Sequence, residues 1–348
     1  MWQELKVHFK RHSHTAAAAY HDLVSLLLDD TVSDIRGTPT RRTRGSRAYW
    51  YDRYRVGKDT KEQYLGEDTD ELRARIENHQ MLKKQRAERA RARARLVRLL
   101  RSERFLGLDA TTGSLVANLA KSGAFRAGGV LVGTVAFLLY EGELGLRLAA
   151  DETARTSDID LASFGGQRDS GEFPALEIPQ LLESCRFDPV PSLENEKTWR
   201  WRQADGTTLV EFLTPSFRDD EGLQDLPRLG VSARALHYLD YLISNPLDVA
   251  AVYRDGILVK APRPEKFAIH KLIVADRRRD GPESLKAYKD LMQAEILMSI
   301  LSEDRPSDLV DAYEEAMSRG PHWRQRLDAT LTRAPQVVAL LEKSRENS

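Results

Sequence analysis

Asp158 and Asp160 stand two residues apart in the stretch Arg155-Thr156-Ser157-Asp158-Ile159-Asp160-Leu161. They alternate with Ile159 and Leu161, which predicts a half-buried strand whose i and i+2 side chains share a face. Charged groups in such a place are costly unless a cation or another partner meets them. A third acid, Glu211, interrupts the apolar run Leu209-Val210-Glu211-Phe212-Leu213. Three strand-borne carboxylates suit two Mg²⁺ ions, which take oxygen ligands and leave positions open to phosphates. Upstream, Gly128-Gly129-Val130-Leu131-Val132-Gly133-Thr134 reads as a buried strand leaving through a small-residue turn. Such a turn brings backbone N–H groups close to a phosphate. Together these residues have the chemistry to hold a nucleoside triphosphate and its metal ions. The plainer alternatives stay open: acids paired with Arg155 or Arg200, and an ordinary strand-to-helix turn at Gly133-Thr134. Acid-x-acid spacing decides nothing alone, since Asp68/Asp70, Glu141/Glu143 and Glu194/Glu196 repeat it.

The elements that must position these groups follow from periodicity and punctuation. A short helix over 114–124 precedes the strand at 130–132, and a second helix over 136–148 follows it. Residues 159–162 form the aspartate strand. Residues 198–202 and 207–213 read as a hairpin across Asp205-Gly206, and 249–253 with 257–260 repeat that signature across Asp255-Gly256. The last third is helical, with helices over 265–278, 284–302, 306–318 and 335–343; Pro264 suits a first turn.

The chain has 348 residues, 41% apolar and 30% charged, the make-up of a globular protein of about two domains with an added arm. Its longest uncharged apolar run, 127–140, is too short for a bilayer, so no membrane association is expected. The start Met-Trp-Gln-Glu-Leu-Lys lacks the pattern of a signal peptide, which makes cytoplasm the expected compartment. One cysteine, Cys185, excludes an internal disulfide framework and a cysteine zinc site. Lysine plus arginine and aspartate plus glutamate both number 53. The charge is unevenly spread: residues 83–104 hold ten basic and two acidic residues, a net +8, and 36–61 is basic as well. That asymmetry points to a polyanionic partner.

The basic first third divides into a helix over 14–29, a break at Gly37-Thr38-Pro39-Thr40, a hairpin of 47–55 with 61–65 across Gly57-Lys58-Asp59, and a long helix over 68–104 capped by Asp68 or Thr69. Alternation puts Tyr49, Tyr51, Arg53 and Arg55 on one hairpin face and Trp50, Asp52, Tyr54 and Val56 on the other. Rings beside arginines can stack bases and contact phosphates, while a small hairpin also needs aromatics for its own core. Along the long helix Arg86, Arg89, Arg91, Arg93, Arg95, Arg98 and Arg101 spread around the axis, so a solvated helix is expected and a basic rod along a nucleic-acid groove is the alternative.

A helix, a strand ending in a small-residue turn, a helix, an Asp-x-Asp strand and a later strand acid together resemble the nucleotidyltransferase fold of the DNA polymerase β superfamily. Arg155-Thr156-Ser157-Asp158-Ile159-Asp160 is also similar to the Arg-x-Ser-x-Asp-x-Asp form of abortive-infection type toxin nucleotidyltransferases. Those proteins continue with a helical half carrying a lysine and a Lys-Asp pair; here stand Lys266, His270 and Lys271, then Lys289-Asp290. The resemblance covers 106–302, with a longer turn-to-aspartate interval and a glutamate as third acid. It implies an α/β (α+β) fold: a mixed-sheet core over 106–230, a basic hairpin and long-helix arm over 1–105, and a helical domain over 231–348. It implies that Gly133 and Thr134 receive the triphosphate, that Asp158 and Asp160 bridge two Mg²⁺ ions (Mn²⁺ as a substitute), and that Glu211 ligates the metal activating the acceptor. Lys271 would neutralise the phosphates, with Lys266 and Lys289 beside it. His270 is left as a structural histidine, and the basic cluster has a plainer reading as a solvated edge running into Arg277-Arg278-Arg279. The expected function is transfer of a nucleoside monophosphate to an acceptor hydroxyl on tRNA or other RNA, a protein or a small molecule, with an antitoxin partner in the toxin version. The alternative is a catalytically inactive relative that binds nucleic acid or a partner.

Overall fold

The structure is a computed structural model describing residues 10–29, 35, 37–56, 59–148, 158–165, 176–192 and 197–348. Arg155-Thr156-Ser157, Glu194/Glu196, Arg36 and the Gly57-Lys58 part of the expected turn lie outside the described residues. The arm begins with β1 (Lys10–Arg11) and α1 (His14–Leu28), whose N-cap Ser13 accepts from Ala16 N. Three strands follow, β2 (Thr38–Arg44), β3 (Arg47–Val56) and β4 (Asp59–Glu67), in one antiparallel sheet of order β2-β3-β4. The sequence predicts two of these strands and a break at 37–40. Pro39 is tolerated because β2 is an edge strand, and Gly45, at φ +60°, closes the turn into β3. α2 (Asp70–Ser102) is capped by Thr69, whose hydroxyl accepts from Leu72 N, and carries Asp70 and Glu71 in its positive first turn.

The arginines of α2 are not evenly solvated. Val97, Leu100 and Arg93 are buried, Arg93 donating to Asp255 Oδ2 at 3.0 Å. That packing leaves Arg91, Arg95 and Arg98 outside at i, i+4 and i+7 on one stripe, with Arg101 exposed about 80° off it.

The core runs α3 (Ala110–Ser122), β5 (Val130–Val132), α4 (Gly133–Leu144), β6 (Leu146–Arg147), β7 (Asp158–Ala162), α5 (Ile178–Ser184), β8 (Phe187–Pro189), β9 (Arg200–Gln203), β10 (Leu209–Pro215), β11 (Leu223–Leu226), β12 (Val231–Leu236) and α6 (Leu239–Ile243). Its mixed sheet has the order β11-β12-β10-β7-β5, with β9 joining β10 and β8. β7 and β12 are parallel to β10, while β5 and β9 are antiparallel to their neighbours. The helix expected at 136–148 starts at Gly133 and ends at Gly145, whose φ of +63° stops it and frees the chain for β6. Because β12 lies inside the sheet, the core does not end at residue 230.

The chain continues with β13 (Leu247–Ala251), β14 (Ile257–Ala261), α7 (Pro264–Arg278), α8 (Ser284–Asp304), α9 (Pro306–Ser318), α10 (Pro321–Leu331) and α11 (Pro335–Asn347). Four of these helices open on proline, where the missing N–H costs nothing. One hydrophobic core runs from Leu115 of α3 through the sheet to Leu341 of α11, so the sheet and the helices share their interior. The β13–β14 hairpin is buried on both faces. Val249 and Ala251 join that core, whereas Ala250 and Val252 join a second cluster with Tyr20, Leu23, Val97, Leu100 and Phe105. α1 and the end of α2 thus cover the hairpin's outer face. Among the described residues no helix is long and apolar enough to cross a membrane.

Candidate active site

β7 places Asp158 and Asp160 on one half-buried face and turns Ile159 and Leu161 fully inward on the other. β10 runs parallel beside it with Glu211 directly opposite Asp160, and in-register neighbours on a sheet project to the same side. On the other flank Val132 of β5 pairs with Asp160, and the next residue is Gly133. Gly133 has φ +66°, and a Cβ built there would run into Asp160 Oδ2. The glycine is therefore required twice, by its left-handed backbone and by the carboxylate packed against it. It is also the first residue of α4; among the described residues no side chain caps that helix N-terminus, and half-buried Thr134 is next in line.

The facing wall comes from α7 and α8. Lys271 Nζ donates to Asp290 Oδ1 at 2.5 Å, and Arg278 Nη1 donates to Asp290 Oδ2 at 2.7 Å. The Asp290 side chain is only 3% exposed, so it is a buried anchor between two cations. Lys271 and Arg278 both act on Asp160 through space, and Lys289 feels Asp158 and Asp160. The sequence places Arg278 in a solvated edge and Asp290 in a local pair with Lys289. Asp290 instead reaches across to α7, since adjacent helix residues diverge by about 100°. The spacing of Lys271 and Arg278, i and i+7, was the available signal that they share a face.

Lys266 is not gathered with them. Its ammonium pairs with Glu315 Oε2 at 2.7 Å, donates to Ser244 Oγ and lies over the Tyr241 ring. Five positions along a helix turn about 140° from Lys271, which directs it toward α9 and α6. His270 is buried, and burial, followed by the charge of Lys271, pushes its imidazole down to about 3, a neutral structural histidine.

Burial pushes Asp160 up to about 7, with Glu211 and Asp158 adding repulsion and Lys271 and Arg278 opposing it. Burial also raises Glu211; the Arg200 guanidinium opposes the rise and Asp158 adds to it. Arg200 Nε lies 3.5 Å from Glu211 Oε1, and Arg200 stacks over Trp199 at 4.4 Å. A crowded set of carboxylates with raised proton affinity, all hard oxygen donors, fits a divalent cation. Among the described residues no three His, Cys, Asp or Glu side chains form a ready metal cage. The fit is that of an ion held by one or two carboxylates and completed by substrate phosphates, the usual habit of Mg²⁺. Asp158 and Asp160 are the pair that could hold it, with Glu211 beside them and against Arg200.

No curated protein matched the sequence at a significant level. Among solved structures, the antigenic nucleotidyltransferase-like protein from Paracoccidioides brasiliensis is a distant likeness, with 17% identity, a TM-score of 0.42, and coverage of 68% of this chain and 94% of that one. A family described as a domain of unknown function (DUF6788) matches residues 18–74, within the arm. The family model described as Nucleotidyltransferase matches residues 110–318, which takes in the sheet, all three strand acids, Lys271, Arg278 and Asp290, and the chain belongs to that nucleotidyltransferase family.

Proposed function

We propose that the protein is a Mg²⁺-dependent nucleotidyltransferase that moves a nucleoside monophosphate from a nucleoside triphosphate to an acceptor hydroxyl and releases pyrophosphate. The observation that carries this reading is the register of Asp158, Asp160 and Glu211 on two parallel strands, against the open N-terminus of α4. The first-turn N–H groups of α4 and the Thr134 hydroxyl bind the triphosphate beside Asp160. Lys271 and Arg278, held by Asp290, neutralise charge that grows on the leaving pyrophosphate, and Lys289 adds to that field. Mg²⁺ held by Asp158 and Asp160 supplies charge neutralisation at the phosphate and a lowered pKa at the acceptor hydroxyl. Glu211, its proton affinity raised, takes the acceptor's proton once it turns from Arg200. The acceptor oxygen bonds to the α-phosphorus as the α–β bridge breaks.

RNA is the favoured acceptor, with tRNA the first candidate. The exposed Arg91, Arg95 and Arg98 stripe and the toxin-like spacing of the aspartate motif support it. A toxin role, with an antitoxin partner, rests on that same spacing. One observation favours a second reading, a catalytically silent fold that binds nucleic acid or a partner: Glu211 already has a cation beside it, Arg200 Nε at 3.5 Å. Label transfer tells the two apart. The protein is incubated with Mg²⁺, each α-labelled nucleoside triphosphate in turn, and total RNA or lysate, beside Asp158→Ala/Asp160→Ala. Label on RNA that the double variant loses establishes the reaction and the acceptor. Label on protein or a small molecule keeps the reaction and replaces the acceptor. No label with any triphosphate, from a protein that still retains RNA, sinks the enzymatic reading.

A further inference from the structure

The arm sheet has two unlike faces, and among the described residues only one packs against the rest of the arm. Trp50 on β3 and Leu65 on β4 pack against Ile35 and, from α2, Leu72 and Ile76. Trp50 Nε1 donates to Asp68 Oδ1 at 2.9 Å, and buried Asp52 accepts from Gly37 N. These groups close the sheet's own small core. Lys61, projecting from the same side as Tyr54, pairs with Glu177 at the start of α5 and ties the sheet to the body.

The opposite face carries Tyr49 and Tyr51 of β3 and Tyr64 of β4. Tyr51 and Tyr64 meet edge to face at 5.5 Å, and Tyr49 lies 6.2 Å from Tyr64. Tyr64 is 55% exposed, unusual for a ring that could have been buried on the other side. Around the rings, strand alternation and register bring Arg42 and Arg44 of β2 and Arg47, Arg53 and Arg55 of β3 to this face, against Glu62 and Glu67 of β4. Arg42 reaches over the Tyr51 ring at 5.5 Å to Glu62, and Arg47 stands 3.8 Å from Glu67. Five arginines against two glutamates leave the face positive, and among the described residues no carboxylate pairs with Arg44, Arg53 or Arg55.

We infer that this tyrosine and arginine face binds an unpaired stretch of nucleic acid, with bases stacking on Tyr51, Tyr64 and Tyr49 and phosphates meeting Arg53, Arg55 and Arg44. Stacking takes any base because every base has a π-face, and the arginines supply a salt-sensitive term. A flat sheet with exposed rings suits a single strand and cannot enter the narrow major groove of duplex RNA. The face gives the sheet, which lies within the domain of unknown function, a ligand class of its own. It deepens the proposed RNA acceptor and rests on that reading for its biological purpose; the binding itself does not need the transfer reaction.

Fluorescence anisotropy of the full chain with a labelled oligouridine of about 16 nucleotides tests it, beside the matching single-stranded DNA and a duplex. Single-strand binding should weaken with added salt. Tyr51→Ala/Tyr64→Ala should lose about tenfold or more in affinity, and Tyr51→Phe/Tyr64→Phe should keep it, since the rings remain. Arg53→Glu/Arg55→Glu, at exposed positions that carry no packing, should weaken binding and flatten its salt dependence. RNA and DNA binding alike support the inference, and their ratio names the natural strand. Binding of the duplex alone, absence of binding, or indifference to both the tyrosine-to-alanine and arginine substitutions overturns it. Label transfer is read separately. Transfer to RNA by a protein indifferent to these substitutions sinks this inference and leaves the reaction, whereas RNA retained through the tyrosines with no transfer does the reverse.

Discussion

Gly133 and Asp160 are a matched pair, and the cost of separating them can be stated. An alanine at Gly133 pays about 1 kcal/mol or more for its left-handed backbone, and its methyl group falls on Asp160 Oδ2. The fold absorbs such a cost, since β5 before it and α4 after it are buried in the main core. The carboxylate cannot stay where it is. Gly133→Ala is expected to lower label transfer by about a hundredfold, because small misplacements of a positioned group cost that much, while the melting temperature falls by only a few degrees. Transfer at the parent rate would mean that Asp160 is not set by the glycine. Asp158, Asp160 and Gly133 were legible because their signals are local: an i, i+2 alternation and a small residue after an apolar run. Arg278 and Asp290 were not, because what defines them is one hydrogen-bonded bridge between two helices, and single-chain spacing shows only half of it. Lys266 misled for the same reason: its sequence neighbours are the site's, its partner is Glu315 on α9.

Some of the elements hidden in the sequence lack apolar periodicity. β2 reads Thr-Pro-Thr-Arg-Arg-Thr-Arg and exists through edge pairing alone, and α10 buries little beyond Leu327 and Thr330. β1 was equally silent, yet it leads into a junction that ties the arm to α4. There His12 Nε2 meets Glu141 Oε1 at 3.0 Å, and Glu141 accepts from Leu106 N at 3.0 Å and Leu148 N at 3.3 Å. Burial pushes Glu141 up to about 7, against the two backbone donors, and burial followed by Arg147 lowers His12. A carboxyl whose folded pKa exceeds its unfolded one binds more protons when folded, so its stabilising share is complete below about 4.5 and is lost as pH rises through about 7. His12 works the other way, its share growing as pH rises toward the ordinary histidine range. Glu141→Gln removes the first contribution. The variant should be less stable than the parent at pH 5, and the gap should shrink by pH 8. Melting temperatures of both proteins across that range check it; a gap that widens with pH contradicts the assignment.

At the scale of the whole molecule, cohesion does not follow the tripartite division that charge suggests. A boundary at residue 230 would cut β12 from β10, where Leu213, Thr214 and Pro215 pair with Arg234, Ala235 and Leu236. A boundary near 105 would strip α1 and the end of α2 from the outer face of the β13–β14 hairpin, where Tyr20 Oη accepts from Ala250 N at 3.2 Å. Basic composition sets the arm apart along the chain, but composition says nothing about which of its residues lie inside. The real seam runs within the arm. The β2–β4 sheet rests on three buried side chains, Ile35, Leu72 and Ile76, with Trp50 and Leu65 against them, whereas the core sheet and C-terminal helices share one continuous interior. Opening free energy scales with the apolar surface a unit keeps from water, so the small sheet should open first and alone. Hydrogen exchange of the full chain should show amides of 38–67 losing protection well before those of β7, β10 and α7, which should exchange together as one unit. If β10 and α7 instead exchange as separate steps, the sheet and the helices are independent after all, and the site between them is held by the Asp290 bridge rather than by a common core. If the small sheet is as protected as β10, its tyrosine face is covered by something other than solvent.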